Sequence, residues 1–128
     1  MKILGIGVDI INNKRIRSLT NNKNFIRRTF GKNELSISKK LKNKTNYFAK
    51  RFAAKESLSK SIGTGLRNNL NFKDIEILND KLGKPFFLKS KKIDSLIYKK
   101  FNTKKYDLFL SISDEKDYSV AFTILIKK

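Results

Sequence analysis

The stretch Arg51–Gly65, RFAAKESLSKSIGTG, constrains the fold of this chain more than any other. Its spacing predicts the second half of a long helix that runs into a glycine stop. Tyr47, Ala54, Leu58 and Ile62 recur at helical intervals on one side, where a core is expected. Ala49, Ala53, Glu56 and Lys60 share another side, on which two small residues leave room for something to lie against the helix. Glu56 and Lys60 stand one turn apart and so face the same way. Gly63 is expected to cap the helix in the left-handed conformation, and Gly65 to let the chain turn again. Taken alone, the pair is also what an ordinary solvated helix face carries, worth about 0.3–0.5 kcal/mol.

A chain of 128 residues is expected to form one domain, residues 1–128, large enough to bury a core. The 39% hydrophobic content and ten Phe argue for a packed globule rather than disorder. There is no cysteine, hence no disulfide framework or thiolate chemistry, and no histidine, hence neither the commonest general base nor the commonest transition-metal ligand. No apolar run reaches the roughly 18 residues of a membrane span. The opening MKILGIGVDII carries a carboxylate and lacks a small-residue cleavage site, so a cytoplasmic protein is expected. The net charge of +19 draws polyanions such as nucleic acid, anionic membrane, acidic proteins or phosphorylated ligands. Only six of the 30 basic residues are arginine, and the abundance of Lys, Asn, Ile and Phe also fits an A/T-rich genome.

Along the chain, residues 3–11 alternate as a strand, with Leu4, Ile6, Val8 and Ile10 on one face and Ile3, Gly5, Gly7 and Asp9 on the other. Glycine inside a strand marks close approach by a ligand or another backbone, and Asp9 reads either as a functional carboxylate or as the cap of the next helix. Residues 12–20 and 23–31 predict short basic helices, the second stopped by Gly31, and a third piece begins at Lys32 or Asn33. Such basic amphipathic segments form solvated faces or dock an acidic partner. Residues 72–80 and 84–89 predict a hairpin, with Pro85 opening an edge strand. Residues 90–101 predict a helix, and a last hairpin joins YDLFLSIS to YSVAFTILI across DEKD. Strand, helices, then antiparallel strands make the expected class α+β, an antiparallel sheet packed against a long helix.

Three blocks, GIGVDI, RFAAKESLSKSIGTG and LFLSISDEKDYSVA, stand in the order found in the bacterial holo-(acyl-carrier-protein) synthases, the small 4′-phosphopantetheinyl transferases. The resemblance spans nearly the whole chain, including FKDIEIL and GKPFF between the blocks. It implies the 4′-phosphopantetheinyl transferase-like fold and a homotrimer with the cofactor cleft between subunits. It implies transfer of the phosphopantetheine arm of coenzyme A to a serine of apo acyl carrier protein, with Mg²⁺, leaving 3′,5′-ADP. By the same resemblance Asp9 and Glu56 hold the metal, Lys60 stands near the reacting phosphates, and Arg51, Ser59, Lys60 and Gly63 line the coenzyme A cleft. Arg15 corresponds to a basic residue offered to the carrier protein. One position departs from the family: after Ser111-Ile112-Ser113 a histidine is usual, and this chain has Asp114. That carboxylate reads as a turn residue, a further metal ligand, or a group that weakens contact with a phosphate.

The chemistry suits these residue types. Mg²⁺ takes oxygen ligands and keeps several waters, so two carboxylates and substrate phosphates suffice. Phosphoryl transfer asks mainly for positioning and charge neutralisation. The nucleophilic serine comes from the partner, and its proton goes to solvent at the metal or to Asp9 or Glu56, between which the sequence does not choose. The helix C-terminus disfavours anions, so Lys60 and the N–H groups of Gly63-Thr64-Gly65 must outweigh the dipole if phosphates sit there. Acyl carrier proteins are acidic, which gives the positive charge a use in steering. Two other readings remain at this level. A basic nucleic-acid-binding module would bind generic DNA in a salt-dependent way without binding coenzyme A. A family member that has lost turnover would bind coenzyme A and transfer nothing.

Overall fold

The structure, a computed structural model, describes residues 1–63 and 71–128. It orders β1 (Lys2–Asn12), three short helices α1 (Asn13–Leu19), α2 (Lys23–Thr29) and α3 (Lys32–Ser38), and the long α4 (Lys44–Ile62). A single 3-10 turn at Phe72–Asp74 leads into β2 (Ile77–Asn79) and β3 (Pro85–Phe87), then α5 (Lys91–Phe101), β4 (Tyr106–Asp114) and β5 (Tyr118–Lys127). The class is α+β as expected: an antiparallel sheet in the order β1-β5-β4 carries α4 across one face, and β2-β3 form a separate two-stranded ribbon. Among the described residues no helix is long and apolar enough to cross a membrane.

Asparagine side chains start three of the helices. Asn12 accepts from the Lys14 N–H, Asn22 from Asn24 and Phe25, and Asn43 from Asn46, each supplying an acceptor to an unpaired first-turn donor. Asp9 is therefore not the cap of α1. Gly63 ends α4 in the left-handed region at φ 86°, as its position predicts. The role expected of Gly65 lies outside the described residues. Gly31 does not stop α2, which ends at the extended Phe30; it is the N-cap of α3. The strand expected over 72–80 is reduced to Ile77–Asn79, because the chain first makes the turn at Phe72–Asp74.

The two faces of the main sheet are unequal. Toward α4 it presents Gly5, Gly7, Asp9 and Ile11 from β1 and Ser119, Ala121, Thr123 and Leu125 from β5. Added Cβ atoms at Gly5 and Gly7 would fall 1.8 Å and 1.9 Å from the carbonyl oxygens of Ser61 and Ser57. The close approach that these glycines allow is thus by the backbone of α4. Ser57 Oγ and Thr123 Oγ1, 2.6 Å apart, satisfy each other inside the seam. On the opposite face Ile6, Val8, Ile10, Phe109, Tyr118 and Phe122 are exposed, Ile10 at 63%. Of the large apolar side chains of β1, Ile11 enters the core, whereas Ile6, Val8 and Ile10 point away from it.

The other flank of α4 holds an ion pair withdrawn from water. Lys55 and Glu34 are both 0% exposed, with Nζ 2.6 Å from Oε1. Lys55 also donates to the carbonyls of Phe72, at 2.9 Å, and Ile75. Glu34 accepts from the N–H groups of Gly31 and Ile77, each at 3.0 Å. Burial pushes the Glu34 carboxyl up and the Lys55 ammonium down, and each charge opposes the shift of the other. Glu76 adds a further carboxylate to the N-terminal turn of α3, accepting from the Asn33 N–H at 2.8 Å. These bonds lock α3, α4 and the chain entering β2 into one arrangement.

Candidate active site

Gly7 brings β1 against α4, and the next residue on the same face of the strand is Asp9. Its carboxylate meets the outward turn of the helix. Lys60 Nζ lies 3.2 Å from Asp9 Oδ1 and donates to the Val8 carbonyl at 2.9 Å. The Asp9 side chain is 15% exposed and that of Lys60 is 54% exposed, so the carboxylate is fixed in the seam and the ammonium head reaches solvent. Glu56 completes the group. Partial burial raises its carboxyl above the ordinary range, the nearby negative charge of Asp9 raises it further, and Lys60 and Arg15 oppose the rise. Burial likewise raises Asp9, against Lys60 and Arg15. The structure therefore brings Asp9, Glu56, Lys60 and Arg15 into one electrostatic cluster from β1, α4 and α1.

Two half-buried carboxylates in each other's field, with cations at the edge, suit a divalent metal. Burial raises both carboxyl groups, and in Glu56 the charge of Asp9 adds to the rise; a bound divalent cation would favour the ionised forms. Among the described residues no group of three or more acidic side chains gathers to hold a metal by itself, so the remaining ligands would be water and substrate oxygen.

Ser59 and Gly63 lie on the last turns of α4. Ser59 Oγ is buried and has no hydrogen-bond partner among the described residues; Gly63 is exposed. Thr64 and Gly65, the other residues of the expected phosphate-facing turn, lie outside the described residues. Arg51 does not join the Asp9 cluster. It stands about 140° round the helix from Glu56 and roughly 7.5 Å along it. Its guanidinium packs 4.1 Å from the ring centroid of Tyr47, donates through Nη2 to Asn79 Oδ1, and is 5% exposed. It borders a cleft of about 480 Å³ shared with Lys42, Asn46, Lys50, Asn79 and Asp114.

Asp114 is the last residue of β4, ahead of the turn itself. Its Oδ2 accepts from Asn46 Nδ2 at 3.1 Å. It faces the Arg51 cleft and is not among the charges that shift Asp9 or Glu56. Sequence reasoning did not pick out Asn46, Asn79 or Lys50, for asparagine and lysine are too frequent here to stand out. It also passed over Asn13, whose amide donates to the carbonyls of Glu115 and Lys116 at 3.0 Å and 3.1 Å and whose carbonyl oxygen accepts from Ser119 Oγ.

The profile of the 4′-phosphopantetheinyl transferase superfamily matches residues 5–123. A holo-(acyl-carrier-protein) synthase of Pelagibacter ubique is 57% identical over 128 residues, covering 100% of both chains. One from Orientia tsutsugamushi (strain Boryong) is 45% identical over 127 residues, covering 96% of each. A crystal structure of the Bacillus anthracis holo-(acyl-carrier-protein) synthase in complex with CoA (3′,5′-ADP) superposes with a TM-score of 0.83 at 36% identity over 100% of both chains. That of the Neisseria meningitidis enzyme gives 0.88 at 37% identity, over 98% of this chain and 99% of the other.

Proposed function

From the premise that this chain belongs to the 4′-phosphopantetheinyl transferase superfamily, we propose that it moves the 4′-phosphopantetheine group of coenzyme A to a serine of apo acyl carrier protein and releases 3′,5′-ADP. Residues 1–128 would act as one transferase domain, in the cytoplasm. The observation that carries the reading is the Lys60–Asp9 ion pair at the seam of β1 and α4, with Glu56 in the field of both charges.

In this reaction the serine Oγ forms a bond to the phosphorus that bears the pantetheine arm. The bridging P–O bond breaks, its electron pair leaves with 3′,5′-ADP, and the serine gives up its proton. Asp9 and Glu56 would hold Mg²⁺, which when bound would neutralise pyrophosphate charge and align its oxygens. Lys60, with its exposed ammonium, would leave Asp9 for the phosphate oxygen on which charge grows. The serine proton would pass to solvent at the site or to Asp9 or Glu56. Arg15, at the edge of the same cluster, would meet the acidic carrier protein. Ser59, Gly63 and Arg51 would contact coenzyme A.

Arg51 and Glu56 face different ways on one helix, so one coenzyme A reaching both kinds of contact calls for a second copy of the chain. The exposed apolar face of the sheet offers the surface for it, since patches of this kind mark subunit contacts. The family resemblance implies three copies, and we propose a homotrimer with the cofactor cleft between subunits.

The test is incubation of purified protein with coenzyme A, Mg²⁺ and apo carrier protein, followed by intact-mass measurement. The carrier gains one phosphopantetheine mass, and a chelator stops the gain. An unchanged carrier mass across pH and metal concentration overturns the proposal.

A further inference from the structure

We infer that Asp114 is a specificity-determining residue of the Arg51 cleft, lowering the preference of that cleft for a doubly charged phosphate monoester. The inference rests on the transferase reading above, which puts coenzyme A in contact with Arg51.

The cleft is built for an anion. Lys42, Lys50 and Arg51 line it, and Arg51 is 5% exposed with its Nε–H finding no acceptor among the described residues. A buried guanidinium donor without a partner is costly and favours an oxygen ligand. Coenzyme A carries two anionic groups. Its pyrophosphate is the reacting group and belongs with Asp9, Glu56 and Lys60. The group left for Arg51 is the phosphate monoester on the ribose, a dianion near neutral pH.

Into this basic cleft the chain places one carboxylate, and holds it there. Asn46 donates to Asp114 Oδ2 at 3.1 Å. The Oδ1 of Asn46 accepts from Asn13 Nδ2 at 3.5 Å, and Asn13 is 3% exposed and bonded to the carbonyls of Glu115 and Lys116 in the β4–β5 turn. The tether makes it harder for Asp114 to swing away when an anion arrives. A fixed negative charge in a solvent-open cleft opposes each negative charge on the ligand, so the opposition is larger for a dianion than for a ligand with nothing at that position.

The experiment is calorimetric titration of wild type and Asp114→Asn with coenzyme A and with 3′-dephospho-coenzyme A, without carrier protein and at one salt and Mg²⁺ concentration. Asn keeps the shape and removes the charge, and an unchanged thermal midpoint confirms the fold. The variant binds coenzyme A roughly fivefold to tenfold more tightly and dephospho-coenzyme A less than about twofold more tightly, so the preference for the phosphorylated ligand rises. The gain shrinks at high salt. Binding of both ligands with the same preference in the two proteins overturns the role of Asp114 and leaves the transferase reading standing. Binding of neither ligand by either protein overturns both.

Discussion

At Lys55 a full positive charge is held out of water by one carboxylate and two carbonyls. Replacing it with Met leaves Glu34 buried without its counterion, which costs about 3–5 kcal/mol and is read as a fall in chemical-denaturation midpoint. The double variant Lys55→Met, Glu34→Gln recovers part of that loss, because no unpaired charge remains. Glu56 answers to the opposite logic. Its carboxyl is raised by burial and by Asp9, so ionising it works against the fold. The stability of the protonated form is fully present below the ordinary carboxylate range and is lost as pH rises through the raised folded-state value. Glu56→Gln therefore keeps or raises the thermal midpoint at neutral pH while phosphopantetheine transfer falls to background. For the same reason protons compete with the metal for Asp9 and Glu56 at higher pH than they would for exposed acids, so metal affinity at limiting metal is expected to fall, in a pH titration, from above the ordinary carboxylate range.

At the scale of elements, the contact of β1 with α4 sets the site, and the glycines set the contact. A methyl at Gly7 would lie 1.9 Å from the Ser57 carbonyl oxygen, so the helix must withdraw from the sheet. Gly7→Ala is expected to cost about 3 kcal/mol or more in unfolding free energy, and to reduce transfer further by moving Asp9 away from Lys60. Much of this level was legible in the sequence. The apolar spacing of Tyr47, Leu58 and Ile62 marked α4, and Gly-x-Gly-x-Asp on one strand face marked a close approach beside a carboxylate. The Glu34–Lys55 pair was not legible, because its partners share no periodicity and their burial depends on where the chain returns after residue 71. The length of β2 was misread for a similar reason: alternation over 72–80 does not distinguish a strand from a turn that leads into one. Strand alternation divided β1 into two faces and left open which one is covered; Gly5, Gly7 and Ala121, small enough for a helix to approach, decide it.

For the whole molecule, two consequences follow from charge and from the open sheet face. With a net charge of +19, transfer at limiting carrier concentration depends on steering, and the rate is expected to fall roughly tenfold between low salt and about 0.5 M salt. The proposed trimer rests on side chains such as Val8 and Ile10, which are 53% and 63% exposed in the single chain. Val8→Asp is expected to yield monomers in sedimentation equilibrium with little loss of secondary structure, and with them a loss of transfer, because Arg51 and Glu56 no longer serve one ligand. The central claim is that Asp9 and Glu56 together hold a divalent metal beside coenzyme A. Manganese titration followed by electron paramagnetic resonance, in the presence of coenzyme A, measures it for wild type, Asp9→Asn and Glu56→Gln. The account predicts one bound Mn²⁺ per chain in wild type and at least about tenfold weaker binding in each variant; equal binding in all three proteins would contradict it.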